Sequence, residues 1–100
     1  MKLGIKGLRV LVTAGAGGIG REVARAFAGE GAKVHVCDVD KTALAALKKS
    51  DHKITQSMAD VADRRDVERL FKEALKTLGG LDVLVNNAGI ANAELRLFCK

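Results

Sequence analysis

The sequence predicts an α/β fold, a parallel sheet of four strands laid down in the order β-α-β-α-β-α-β. Three observations lead there. Short β-branched runs alternate with stretches of helical apolar period, the connections between them are short, and the first connection is rich in glycine. With 100 residues the chain fills a single domain, residues 1–100. Hydrophobic residues at 48% and charged residues at 29% suit a packed core and not a disordered segment.

The elements follow in order. Leu8-Arg9-Val10-Leu11-Val12 is a short apolar run ending in glycines, which reads as a buried strand. From Gly18 the period turns helical, with Ile19, Val23, Ala26 and Phe27 predicted to form one apolar face; Gly29 and Gly31 stop the helix. Lys33 to Cys37 is a second strand. Asp40 is placed to cap a helix through Lys49, with Leu44 and Leu47 inward. Ile54 to Ala59 is a third strand, polar at Thr55, Gln56 and Ser57. Asp63 caps a helix in which Val67, Leu70, Phe71, Ala74, Leu75 and Leu78 recur at three- and four-residue steps, closed by Gly79-Gly80. Leu81 to Val85 is the fourth strand. Residues 91–100 are expected to add a short C-terminal helical tail of about two turns.

Composition narrows the function. The chain has three Phe and no Trp or Tyr, so it offers no phenol for acid–base work and no stacking platform for single-stranded nucleic acid. Seventeen Lys and Arg against twelve Asp and Glu leave a net charge of +5, but the basic residues are scattered as on an ordinary solvated surface, and no specific nucleic-acid partner is expected. Cys37 and Cys99 lie far apart with no CxxC, as in a reducing compartment. No apolar run approaches the ~20 residues that span a bilayer. Gly4, Lys6, Gly7 and Arg9 interrupt the first stretch before it becomes a signal sequence. The expectation is a cytoplasmic protein with no membrane partner.

Thr13-Ala14-Gly15-Ala16-Gly17-Gly18-Ile19-Gly20 directly follows a strand and opens a helix. Glycines there let the backbone approach a pyrophosphate, and the N–H groups of the helix N-terminus face its negative charge. Asp38, at the end of the second strand, stands where a carboxylate accepts hydrogen bonds from the ribose hydroxyls of adenosine. The other reading, glycines for helix–strand packing and Asp38 as a loop carboxylate, stays open at this point. His35 and Cys37 share one face of their strand and are candidate zinc ligands, although core filling explains them as well and their spacing matches no recognised ligand pattern. Ser50-Asp51-His52 are too close in sequence to orient one another as a triad, and Asp60, Asp63 and Asp66 read as helix capping.

From Leu8 to Ile90 the chain resembles the N-terminal half of a short-chain dehydrogenase/reductase. The resemblance rests on the Thr13-to-Gly20 turn ending Gly18-Ile19-Gly20, Asp38 after the second strand, Asp60-Val61 after the third, and Asn86-Asn87-Ala88-Gly89 after the fourth. It implies a half Rossmann fold with strand order 3-2-1-4. It also implies that Thr13, Gly15, Gly17, Gly18, Ile19 and Gly20 form the pyrophosphate turn and that Asp60 with Val61 contacts adenine. The Asn86-Asn87-Ala88-Gly89 segment would shape the floor of the cleft, with Asn86, Ala88 and Gly89 as its contact residues. Asp38 would repel a 2′-phosphate, and neither Gly17 nor Val39 supplies the basic residue of NADP-using relatives, so the resemblance implies NAD over NADP. Ala14 stands where the family usually has its first glycine, which is expected to weaken binding without abolishing it.

The family's catalytic Ser, Tyr-X-X-X-Lys and further Asn follow the Asn-Asn-Ala-Gly segment. They are absent from these residues, and the tail at 91–100 does not resemble the usual continuation. The expected function is therefore a nucleotide-binding module that takes NAD weakly, through its ADP half, without dehydrogenase chemistry. Two alternatives stand beside it: an acquired hydrolysis of a phosphoester, metal-assisted or at the anion site of the helix N-terminus, and a non-binding oligomeric scaffold or inert fragment. The fourth strand would be an open edge, so a homodimer or higher oligomer is expected there, with Leu95, Leu97 and Phe98 over the join.

Overall fold

The structure, a computed structural model, describes residues 4–87 and the backbone of residues 94–97. Its elements are β1 (Arg9–Thr13), α1 (Gly18–Gly29), β2 (Lys33–Asp38), α2 (Lys41–Ser50), β3 (Thr55–Met58), α3 (Arg64–Leu78), β4 (Val83–Asn86) and β5 (Glu94–Leu97). They form one sheet in the order β3-β2-β1-β4-β5. The first four strands are parallel in the expected order 3-2-1-4, with Val10 opposite Val34 on one side and Val83 on the other.

Alternation along β1 divides the core. Val10 and Val12 point to the face covered by α1 and α2, where they pack with Ala24, Leu44 and Leu47; Leu11 points to the other face, against Leu70, Ala74 and Leu78 of α3. All three β1 residues are fully buried, as a central parallel strand requires. Arg9 pins the start of this strand: its Nε and Nη2 each donate to Asp82 at 2.9 Å, and Nη1 donates to the Gly79 carbonyl. That fork joins β1 to the connection entering β4.

Local chemistry sets the helix ends. The Asp40 carboxylate accepts from Ala43 N–H at 3.0 Å, and Lys48 and Lys49 occupy the last turn of α2. Asp63 accepts from the N–H groups of Arg65 and Asp66, and Gly79, at φ 81°, closes α3 in the left-handed region. The buried stripe of α1 differs from the expected one. Gly20 and Ala24 face the sheet, Val23, Phe27 and Ala28 are partly buried, and Ile19 (70% exposed) and Ala26 point outward. The helix lies so close to the sheet that only small side chains fit beneath it.

The tail is also corrected. Residues 94–97 form β5, antiparallel to β4 with Val83 opposite Leu97 and Asn86 opposite Glu94, where a helix was expected. Glu-Leu-Arg-Leu alternates polar and apolar with the period of a strand. The β4 edge proposed for dimerisation is thus filled by this chain's own next segment, which removes the argument for assembly through it. Phe98 and the rest of the expected tail lie outside the described residues. Among those described, no helix is long and apolar enough to cross a membrane.

A buried polar cluster joins β2, β3 and α3. His35, 2% exposed, shares hydrogen bonds with Thr55 Oγ1 at 2.6 Å and Ser57 Oγ at 2.7 Å, and the Ser57 hydroxyl donates to Glu73 at 2.5 Å. Burial pushes the His35 pKa below its usual 6.5, while the Glu73 charge opposes the shift. The unfolded chain therefore takes up this proton first on acidification, so the stability fully present above pH 6.5 declines as pH falls towards the folded value. Urea unfolding should show stability falling between about pH 7 and pH 5.5, at no more than about 1.4 kcal/mol per pH unit, with that slope absent in His35→Gln. A wild-type curve flat across the window would contradict the burial argument.

Candidate functional site

The glycine turn spans the end of β1 and the start of α1. Ala14 has φ 51°, the only non-glycine residue with positive φ among those described, at the position where a glycine was expected. An L-residue there is strained because its Cβ crowds the backbone. Gly15 N–H donates to the Cys37 carbonyl at 3.1 Å, and a Cβ on Gly15 would stand 2.7 Å from Val36 Cβ. A Cβ on Gly20 would collide with the Ala14 carbonyl oxygen and lie 2.7 Å from Asn87 Nδ2. These two glycines let strand and helix close on each other. Gly17 and Gly18 differ: a Cβ on either meets nothing within 4 Å, and Gly18 has φ 54°.

Gly17 is the N-cap of α1, with extended backbone at φ −150° and ψ 168°. Among the described residues no side chain accepts from the first N–H groups of this helix, and no acidic residue lies in its first turn. α2 and α3 each have an aspartate in that role. Among the described residues the positive end of α1 is thus left without a side-chain partner beside the turn.

Asp38 lies half-buried at the end of β2. One carboxylate oxygen accepts from Ala16 N–H at 3.2 Å and the other from Asp40 N–H at 3.1 Å, which fixes the side chain beside the turn. A cleft of about 230 Å³ opens there, lined by Ala14, Cys37, Asp38, Val39 and residues 59–62. Val39 is 62% and Val61 36% exposed, so both offer apolar surface to it. Asp60 Oδ1 accepts from Ala62 N–H at 2.9 Å, shaping the loop that carries Val61. A second cleft of about 310 Å³ shares Val39, Ala59 and Asp60 and runs on to Met58, Asp66 and Arg69. A wider, shallow hollow of about 600 Å³ follows the outer side of α1, lined by Gly18, Ile19, Arg21, Glu22, Val23 and Ala26.

The structure therefore brings Gly15, Gly17, Gly18, Ile19 and Gly20 to one turn, with Asp38, Val39, Asp60 and Val61 beside it. Thr13 is placed differently from these. It is 5% exposed; its Oγ1 accepts from Asn87 N–H at 2.8 Å and approaches Asn86 Oδ1 at 3.3 Å, joining the ends of β1 and β4. Ala88 and Gly89 lie outside the described residues. Asn87, expected only as part of the Asn-Asn-Ala-Gly segment and not as a contact residue, donates from Nδ2 to the Ala14 carbonyl at 3.5 Å and lies against Gly20. Its place in the Asn-Asn pair was the signal available.

His35 and Cys37 are not set up as metal ligands. Both His35 ring nitrogens have hydroxyl partners, and Cys37 is 1% exposed, its thiol pushed up to about 11 chiefly by burial. Among the described residues no three His, Cys, Asp or Glu side chains gather as a metal-binding group, so this part of the chain gives metal-assisted hydrolysis no donor set. Asp63 caps α3 as expected.

The short chain dehydrogenase family matches residues 8–98, extending eight residues beyond the resemblance read from the sequence and into its supposedly atypical tail. A short chain dehydrogenase/reductase of Colletotrichum higginsianum, dpchG, is 41% identical over 91 residues, which cover 87% of this chain and 34% of that protein. A 3beta-hydroxysteroid dehydrogenase of Eggerthella lenta is 38% identical over 90 residues, covering 86% of this chain and 35% of its own length. The crystal structure of a short chain dehydrogenase from Mycobacterium smegmatis superimposes with a TM-score of 0.80 at 36% identity, over 88% of this chain and 38% of the other. The chain spans about a third of the length of the curated relatives it matches. With its sheet order, its glycine turn and a family match over nearly its whole length, the chain belongs to the short-chain dehydrogenase family.

Proposed function

We propose that this chain binds the adenosine diphosphate half of a nicotinamide dinucleotide, NAD in preference to NADP. The observation that carries the reading is the uncapped N-terminus of α1 beside the fixed carboxylate of Asp38. The first N–H groups of the helix suit a pyrophosphate, and the Asp38 carboxylate suits a pair of ribose hydroxyls. Apolar walls at Val39 and Val61 suit the faces of an adenine ring.

The residues present fit such a cofactor at its adenosine end. Gly17 and Gly18 leave the approach to the N–H groups free of side chains, and Asp38 supplies acceptor oxygens where a 2′-phosphate would bring like charge. Family members use NAD or NADP, and bound NAD supplies a hydride acceptor at its nicotinamide ring. What these residues supply is attachment: main-chain donors for phosphate, a carboxylate for ribose and a cleft for adenine. The affinity resides in the ADP portion.

Calorimetric titration of the chain should show saturable binding of NAD, with ADP competing nearly as well and nicotinamide mononucleotide not competing. Asp38→Ala should weaken NAD by about 10- to 100-fold, the range for losing charge-assisted hydrogen bonds. Binding unaffected by that substitution, or equally strong for the mononucleotide, would contradict the assignment. Ala14→Gly should raise stability by up to about 1 kcal/mol, since relief of the positive φ exceeds the added entropy of the unfolded chain. It should also tighten ADP binding, because the Ala14 methyl group lines the cleft; a loss of stability in urea unfolding would contradict the strain at this turn.

A further inference from the structure

The loop after β3 is held by a chain of polar contacts from the core. Asp66 belongs to the first turn of α3, but its Oδ2 reaches back outside the helix and accepts from Asp60 N–H at 2.9 Å. It is not capping its own helix, since Asp63 does that. Arg69, three residues on, lies 3.4 Å from Asp66 Oδ1, donates to the Met58 carbonyl at 2.7 Å and pairs with Glu73 at 3.2 Å. One guanidinium thus joins the end of β3 to two carboxylates of α3. Met58, Asp60, Asp66 and Arg69 all line the cleft that continues from the candidate adenine site.

The far end of the chain is buried. Ser57 has one hydroxyl proton and donates it to Glu73 at 2.5 Å, so its oxygen accepts from His35 Nε2–H at 2.7 Å. His35 Nδ1 is then an acceptor for the Thr55 hydroxyl at 2.6 Å. The Glu73 charge, held by Ser57 and Arg69, fixes this direction of donation. Exposed ion pairs such as Arg69 with Asp66 contribute little to folding, which leaves placement of the loop as the consequence of this geometry.

We propose that Asp66 and Arg69 are positioning residues for the Asp60–Val61 wall of the cleft, and that Glu73, anchored through Ser57 to His35, fixes where Arg69 stands. The ligand served is a purine ring against Val61. The inference rests on the nucleotide reading above, and it assigns the affinity for the adenine end to residues outside the glycine turn.

The test combines calorimetry with amide NMR on the whole chain. ADP and inorganic pyrophosphate are titrated into wild type, Asp66→Ala, Asp66→Asn, Arg69→Ala and Glu73→Ala. Asp66→Ala and Arg69→Ala should each weaken ADP by about 5- to 10-fold, as expected for a misplaced wall, while pyrophosphate affinity stays within about twofold. Asp66→Asn should recover ADP binding, because its amide oxygen still accepts from Asp60 N–H. Glu73→Ala should act in the same direction as Arg69→Ala. The Asp60 amide should shift and exchange faster in Asp66→Ala without a change in the unfolding midpoint. If wild type binds ADP and both alanine variants at 66 and 69 bind it equally well, the positioning role is overturned. Failure of wild type to bind ADP overturns the nucleotide reading instead, and the Asp60 amide then decides alone whether Asp66 holds the wall.

Discussion

The space a side chain would need at Gly20 is already filled by the Ala14 carbonyl and the Asn87 amide, and that absence of room organises the molecule. Because α1 approaches so closely, β1 must turn within a few residues, which drives Ala14 to positive φ and leaves Gly15 against Val36. The same approach fixes which side of α1 is buried: Gly20 and Ala24 meet the sheet and Ile19 does not. Interiors are packed densely enough that a single added carbon at such a point forces backbone to move. The end of β4 is part of this arrangement, since Asn87 touches both partners of the contact and bonds to Thr13.

The proposed function follows from what the packing leaves undone. Two helices of the chain satisfy their first N–H groups with aspartate caps, and α1 does not. A glycine at this N-cap gives up the stability that Ser, Thr, Asn or Asp would add there, a few tenths of a kcal/mol or about 1 kcal/mol with the helix dipole included. The donors it leaves lie at the carboxyl ends of parallel strands, where α/β sheets hold ligands. Asp38, tied to Ala16 and Asp40 by main-chain donors, brings its charge to the same place. The cleft between the ends of β2 and β3 is walled by residues that the short loop after β3 carries, and α3 braces that loop through Asp66 and Arg69.

Much of this was legible in the sequence, because local chemistry dictated it. Asp40 and Asp63 cap the helices they precede, Gly79 closes α3, and the β-branched runs form strands in the parallel order. That the turn, Asp38, Val39, Asp60 and Val61 belong together was legible as a pattern of spacing and resemblance, and the fold brings them to one cleft; their contact with a nucleotide is the proposal. What escaped depends on distance in sequence. The buried face of α1 does not follow from periodicity, because Ile19 and Ala26 complete an apolar stripe whereas contact with the sheet selects the smallest side chains. Glu94–Leu97 had a strand's alternation over only four residues, too few to outweigh the helical reading. The role of Ser57 and Glu73 with His35 arises from pairing β2 with β3 and laying α3 over them, which no local pattern encodes.

If α1 keeps its N-terminus uncapped for an anion, Gly17→Asp is the substitution that closes it. The extended backbone of Gly17 is that of an N-cap, and a side chain there meets nothing within 4 Å. An aspartate should therefore cap α1 and raise stability by a few tenths of a kcal/mol, or about 1 kcal/mol with the helix dipole included. Its carboxylate would occupy the donors and repel phosphate. The expected result is a higher unfolding midpoint together with loss of ADP binding in the same protein. A variant that gains stability and still binds ADP as wild type does would contradict it, because the helix N-terminus would then not be where the phosphates are held.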